Sequence, residues 1–115
     1  MKLAEIVEEL DLKVRTGDGA LEREVTGGYA SDLMSDVIAH AATGHVWVTL
    51  QIHQNVVAVA SLKELAGIVL VNGREPEEAT VERAESENIP IMVSPLTAFD
   101  VIGRLYGLGV TGSTD

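Results

Sequence analysis

Three short polar segments hold most of the side chains here that could bind a ligand: Gln51, His53, Gln54 and Asn55; Asn72, Gly73 and Arg74; and Ser94. Each follows an apolar run rich in β-branched residues, at 45–50, 68–71 and 89–93. If those runs are parallel strands, the segments share one rim, because ligands of open α/β sheets bind beyond the carboxyl ends of the strands. Such a rim offers amide and imidazole groups, one guanidinium and the positive ends of three helices. That set suits a small anion or a polar small molecule. Each residue also has a plainer use. Loop Gln and Asn side chains satisfy backbone groups, Asn72-Gly73 makes a turn, and Arg74 has Glu75 and Glu78 as near neighbours for a surface pair of little energetic worth.

Catalytic groupings are harder to assemble. The chain has no cysteine, which removes disulfides, thiol catalysis and thiolate metal sites. His40 and His45 bracket Gly44, on the rim opposite His53, and a metal would need at least three converging ligands. Asp32, Asp36 and His40 fall at i, i+4 and i+8, which draws a carboxylate–imidazole line along one helix. The plainer reading is a solvated helix face with a histidine at its negative end. No Ser-His-Asp spacing and no phosphate-loop lysine occurs. Thr26-Gly27-Gly28 matches neither glycine-rich phosphate motif and reads as a strand end where another backbone passes close. No catalytic residue, metal ligand or cofactor is expected.

The elements that must position the rim alternate, as in βαβ architecture. A first helix over 2–10 places Leu3, Ile6, Val7 and Leu10 on one side. Strands follow at 13–15 and 25–29. Ser31 or Asp32 is placed to cap a helix carrying Leu33, Val37, Ile38 and Ala41. Gly44 ends it and a strand runs over 45–50. A nearly all-apolar helix over 56–65 is closed by Gly67. Pro76 is expected at the first position of a helix reaching Glu87 and ended by Asn88. Pro90 confines the last strand, 89–93, to a sheet edge or itself to the strand's first residues. Ser94-Pro95 is expected to open the final helix, which carries Leu96, Phe99, Val101, Ile102 and Leu105.

With 115 residues, one core is expected. Apolar residues make up 46% of the chain and aromatics 3%, so the core is aliphatic, as in a sheet covered on both faces. The formal net charge is −10. Its eight Lys and Arg are scattered among acids, which argues against nucleic-acid and anionic-membrane partners. No basic, apolar signal segment and no ~20-residue apolar run appears. A cytoplasmic protein is expected.

From about Thr26 to Tyr106 the chain resembles the DRTGG domain, a regulatory module of some phosphate acetyltransferases and of some pyrophosphatases that also carry CBS domains. It is related to the N-terminal domain of HPr kinase/phosphorylase. The resemblance rests on Gly44-His45-Val46-Trp47-Val48-Thr49, on Gln54-Asn55 with the small residues after it, on Ala66 through Gly73, on Pro76, and on Ile89-Pro90-Ile91-Met92-Val93 with Thr97. The family's Asp-Arg pair falls on Ile52-His53 and its Thr-Gly-Gly on Val71-Asn72-Gly73, so only Gly73 is kept. The resemblance implies a three-layer, mostly parallel α/β fold; one such domain is expected over residues 1–108, and, since Gly107 and Gly109 break the last helix, a flexible tail over 109–115. The resemblance also implies a non-catalytic regulatory role and a homodimer. The function expected from rim and resemblance together is binding of a small anionic ligand or nucleotide. The alternative is an adaptor that tethers a partner enzyme.

Overall fold

The computed structural model describes residues 1–112. Five strands, β1 (Lys13–Thr16), β2 (Gly27–Ala30), β3 (His45–Thr49), β4 (Gly67–Leu70) and β5 (Ile91–Val93), form one sheet in the order β1-β5-β4-β3-β2. β2 to β5 are parallel, and β1 runs antiparallel to β5. Every residue of β3, β4 and β5 is buried, the pattern of strands covered on both faces. The side chains alternate accordingly. Trp47, Ile68, Leu70, Ile91 and Val93 pack into one core cluster, and Val46, Val48, Val69 and Met92 into the other.

The helices are α1 (Leu3–Glu9), α2 (Met34–His40), α3 (Asn55–Lys63), α4 (Glu78–Glu87) and α5 (Ala98–Gly107). The three crossovers from β2 to β5 all step the same way along the sheet. Right-handed connections therefore put α2, α3 and α4 on one face, where Val37, Val56, Val57, Ala60 and Ala84 fill the first cluster. The other face is covered by α1 and α5 through Leu3, Ile6, Val101 and Leu105. The result is the expected three-layer, mostly parallel α/β fold.

Element ends differ from expectation where capping competes with tertiary contacts. Neither Ser31 nor Asp32 caps α2. The Ser31 hydroxyl accepts from Leu33 N–H, and Asp32 turns to β3 instead. Gly67 does not close α3. Glu64 does, in a left-handed conformation at φ 54°, while Gly67 opens β4 where a Cβ would crowd Leu3, Met92 and the Pro90 carbonyl. Pro76 and Pro95 precede their helices by two or more residues, since Glu77 and Thr97 are the N-caps. Pro90 sits just ahead of β5, which lies inside the sheet; Thr16 Oγ1 bridges the Ile89 carbonyl and Ile91 N–H across the gap. Of the expected tail, Val110 is buried and the Thr111 carbonyl accepts from Gly28 N–H, so packing continues past Leu108. Residues 113–115 lie outside the described residues.

Candidate functional site

Because β2 to β5 are parallel, the loops after them come to one rim. Hydrogen bonds tie these loops together. Asp32, after β2, accepts from Thr49 Oγ1 and from Leu50 N–H, both at 2.8 Å, and so holds the end of β3. Gly73 N–H donates to the Ser94 carbonyl and Asn72 N–H to the Leu96 carbonyl, each at 2.8 Å, which joins the loops after β4 and β5. The Ile52 carbonyl accepts from Thr80 Oγ1 at 2.7 Å and from Glu77 N–H at 3.2 Å, which fastens the loop after β3 to α4.

All eight sequence-expected residues stand on this rim, in two groups. Gln51, His53 and Ser94 are engaged internally. The Gln51 amide donates to the Asp32 carbonyl at 3.0 Å. His53 Nδ1 accepts from Asn55 N–H at 3.1 Å, which places the proton of the neutral ring on Nε2; the residue is exposed. Ser94 is buried and its hydroxyl accepts from Leu96 N–H, so it shapes a turn. Asn55, Asn72, Gly73 and Arg74 are exposed, and Gln54, at the N-cap of α3, is half-buried with its side chain making no cap bond. Asn72 and Gly73 are both left-handed, at φ 58° and 65°, and a Cβ on Gly73 would meet no described atom within 4 Å. The turn is therefore exposed and uncrowded, while its two N–H groups are held by the Leu96 and Ser94 carbonyls.

Arg74 pairs with no carboxylate among the described residues. Its expected neighbour Glu75 is taken from across the sheet by Arg15, in a bidentate pair with both contacts at 2.8 Å. That bond holds the Glu75 carboxyl below its usual range. Sequence reasoning missed Arg15 and gave Asp32 a place on the helix after it, not its role as a brace for β3. Both act over long sequence separations, which local spacing does not reveal. Beside the rim lies a cleft of about 210 Å³ between the ends of β2 to β4 and the start of α5, lined by Asp32, Thr49, Leu50, Val71 and Ala98 among others. None of the eight expected residues lines it.

The other titratable groups do not converge on the rim. Tyr29 donates to Asp36 at 2.8 Å and His40 Nδ1 lies 3.0 Å from the same carboxylate, with the two rings stacked at 6.4 Å. The tyrosine hydrogen bond lowers the Asp36 carboxyl and raises the Tyr29 hydroxyl, which makes Tyr29 a poorer nucleophile. Asp32 does not join this line. His45 is buried at the opposite end of the sheet. A concavity of about 430 Å³ is also at that opposite end. Its charged lining is Arg23 with Glu24, Glu64 and Glu87, and Arg23 is turned onto the carbonyls of Leu65 and Asn88. Among the described residues no three His, Asp or Glu side chains could hold a metal, and no helix is long and apolar enough to cross a membrane. As the sequence suggested, Gly27 meets another backbone, since a Cβ there would lie 2.8 Å from the Thr111 carbonyl oxygen.

No protein-family profile matches the chain, and no curated protein matches it. A solved structure does: the CBS and DRTGG domains of the regulatory region of Clostridium perfringens pyrophosphatase, in complex with its activator diadenosine tetraphosphate. The TM-score is 0.72 at 12% identity, over 90% of this chain and 45% of that one. The chain thus spans about half the length of the structure it matches, and at this identity the likeness is one of fold. In its fold, this chain is a DRTGG-like α/β domain.

Proposed function

We propose that the chain is a non-catalytic regulatory domain that self-associates and binds a small anionic ligand of the nucleotide class at the rim. One observation carries this reading. In a chain of net charge −10, Arg74 keeps its guanidinium free because Arg15 has taken Glu75. Around it, the side-chain amides of Asn55 and Asn72 and His53 Nε2 can contribute donors to phosphate oxygens, and the exposed turn at Gly73 leaves room beside them. That the similar regulatory region was solved with a dinucleoside polyphosphate supports the ligand class.

The test is a thermal-shift series with adenine and guanine nucleotides, diadenosine tetraphosphate and acetyl phosphate. A ligand held only by the folded state adds about 2.7 kcal/mol at a hundredfold excess over its Kd. Arg74→Ala is expected to leave the melting temperature of the free protein unchanged and to remove that shift. No shift with any of these compounds, or an undiminished shift in the variant, would sink the reading. A second reading, an adaptor that tethers a partner enzyme, is favoured by the apolar side chains left on the outside of α5. It gains if no compound shifts the melt and the purified chain is a monomer.

A further inference from the structure

α5 is amphipathic in an unusual way. Val101 and Leu105 are buried against the sheet, yet the outward side carries Phe99, Ile102 and Tyr106, which are 87%, 38% and 65% exposed. They fall at i, i+3 and i+7, a single stripe. Gly103 lies on the same side, in the middle of the helix with no positive φ, and a Cβ there would meet no described atom within 4 Å. Glycine weakens a helix interior, and nothing in the fold requires one at this position. Without a side chain, this position leaves room for another backbone to come close.

Alongside this stripe runs an apolar groove of about 250 Å³ between α5 and the edge strand β2, walled by Tyr29, Ala30, Ile102, Leu105, Tyr106 and Val110. Knob and groove therefore sit on one helix. Phe99 and Tyr106 are two turns apart, about 10.5 Å along the axis. If two α5 helices cross antiparallel at Gly103, Phe99 of each copy falls beside Tyr106 of the other, over its groove. The contact is self-complementary and closes on itself, as a two-fold interface must.

Charge points the same way. Asp100 and Arg104 are the only charged residues of α5, and neither forms an ion pair within the chain, although they stand at i, i+4. The antiparallel crossing brings Asp100 of one copy to Arg104 of the other. It also joins the two copies at a locally neutral face, whereas the rest of a molecule of charge −10 repels its like. The three apolar side chains alone would bury on the order of 350 Å² per copy, close to half of the roughly 800 Å² per partner of a stable interface. The groove walls can contribute to the rest.

From these observations we infer that the outer face of α5, with the groove beside β2, is the surface on which a second copy of this chain docks, with Phe99 as the knob and Gly103 at the crossing. This rests on the self-association proposed above and names its surface. The experiment is sedimentation velocity of the wild-type chain, Gly103→Leu and Phe99→Ser across the micromolar range, with circular dichroism to confirm folding. Gly103→Leu improves helix propensity and its Cβ meets no described atom within 4 Å in the monomer, so it is expected to fold. Each variant is expected to raise the dimer dissociation constant at least about thirtyfold, the effect of losing one interface hot spot. Because the chain has no cysteine, Gly103→Cys offers an independent check, and is expected to form a disulfide-linked dimer under mild oxidation. A wild-type chain that is monomeric throughout overturns both the self-association and this surface. A dimer that persists in both variants, or that fails to cross-link through Gly103→Cys, overturns the surface alone.

Discussion

His45 shows how a single residue can carry a cost that pH reveals. Its ring is buried at the first residue of β3. Nδ1 accepts from Ala42 N–H at 3.2 Å, and Nε2 has no partner among the described residues. Burial pushes its pKa below the ordinary histidine value. The folded chain therefore keeps His45 neutral at pH values where the unfolded chain, near the ordinary value of about 6.5, already binds a proton. Above that value the group adds no pH dependence. As the pH falls below it, stability drops by up to about 1.4 kcal/mol per pH unit until the folded pKa is reached. Urea unfolding between pH 7 and pH 5 is expected to show this decline, and His45→Gln to flatten it. A wild-type stability that stays level through this range would contradict the placement. Gly17 makes a related point about legibility. The sequence reads Gly17-Asp18-Gly19 as a turn, but only the assembled chain shows why Gly17 must be glycine: at φ 69°, a Cβ would lie 2.5 Å from Pro90 N.

Among the elements, helix ends are where local rules and packing part company. α3 and α4 both end on a left-handed residue, Glu64 and Asn88. Asn88 could be read from sequence, because asparagine tolerates this conformation. Glu64 could not, because glutamate has no such preference and Gly67, three residues on, is the more obvious stop. Its conformation is imposed by the turn into β4, where Gly44 N–H donates to the Glu64 carbonyl. Glu64→Gly is therefore expected to stabilise the protein by about 1 kcal/mol, read as a higher melting temperature, and Asn88→Gly by less. Destabilisation by Glu64→Gly would mean that the glutamate side chain has a role that the contacts described here do not contain. The strands were the most legible elements. The runs around Val46, Ile68 and Ile91 are apolar on both faces, and that property alone places them inside a parallel sheet.

On the scale of the whole molecule, charge is the dominant surplus. The described residues hold four ion pairs between permanently charged groups, all with exposed or half-exposed side chains, beside the His40–Asp36 contact. Each is worth little in water, whereas a net charge of −10 repels itself in the compact state. Screening weakens both, and the repulsion is the larger sum. The melting temperature is expected to rise by roughly 2–5 °C between low salt and about 0.5 M sodium chloride, where the Debye length is only a few ångströms. A fall would mean that the Arg15–Glu75 pair and its like outweigh the repulsion.

Residue order alone determined the class of the fold and the membership of the rim. Apolar runs of strand length, separated by amphipathic segments, leave few other architectures, and the polar residues that follow parallel strands have nowhere to go but a common edge. Tertiary structure decided which rim residues are free. Ser94 and Gln51 are consumed by neighbours, Asp32 becomes a brace for β3, and Arg74 is released because Arg15 reaches Glu75 across 60 positions of sequence. It also decided that the outer stripe of α5 remains uncovered. Periodicity marks which residues of a helix are apolar, but only the packed chain shows that the sheet has room for one side of them.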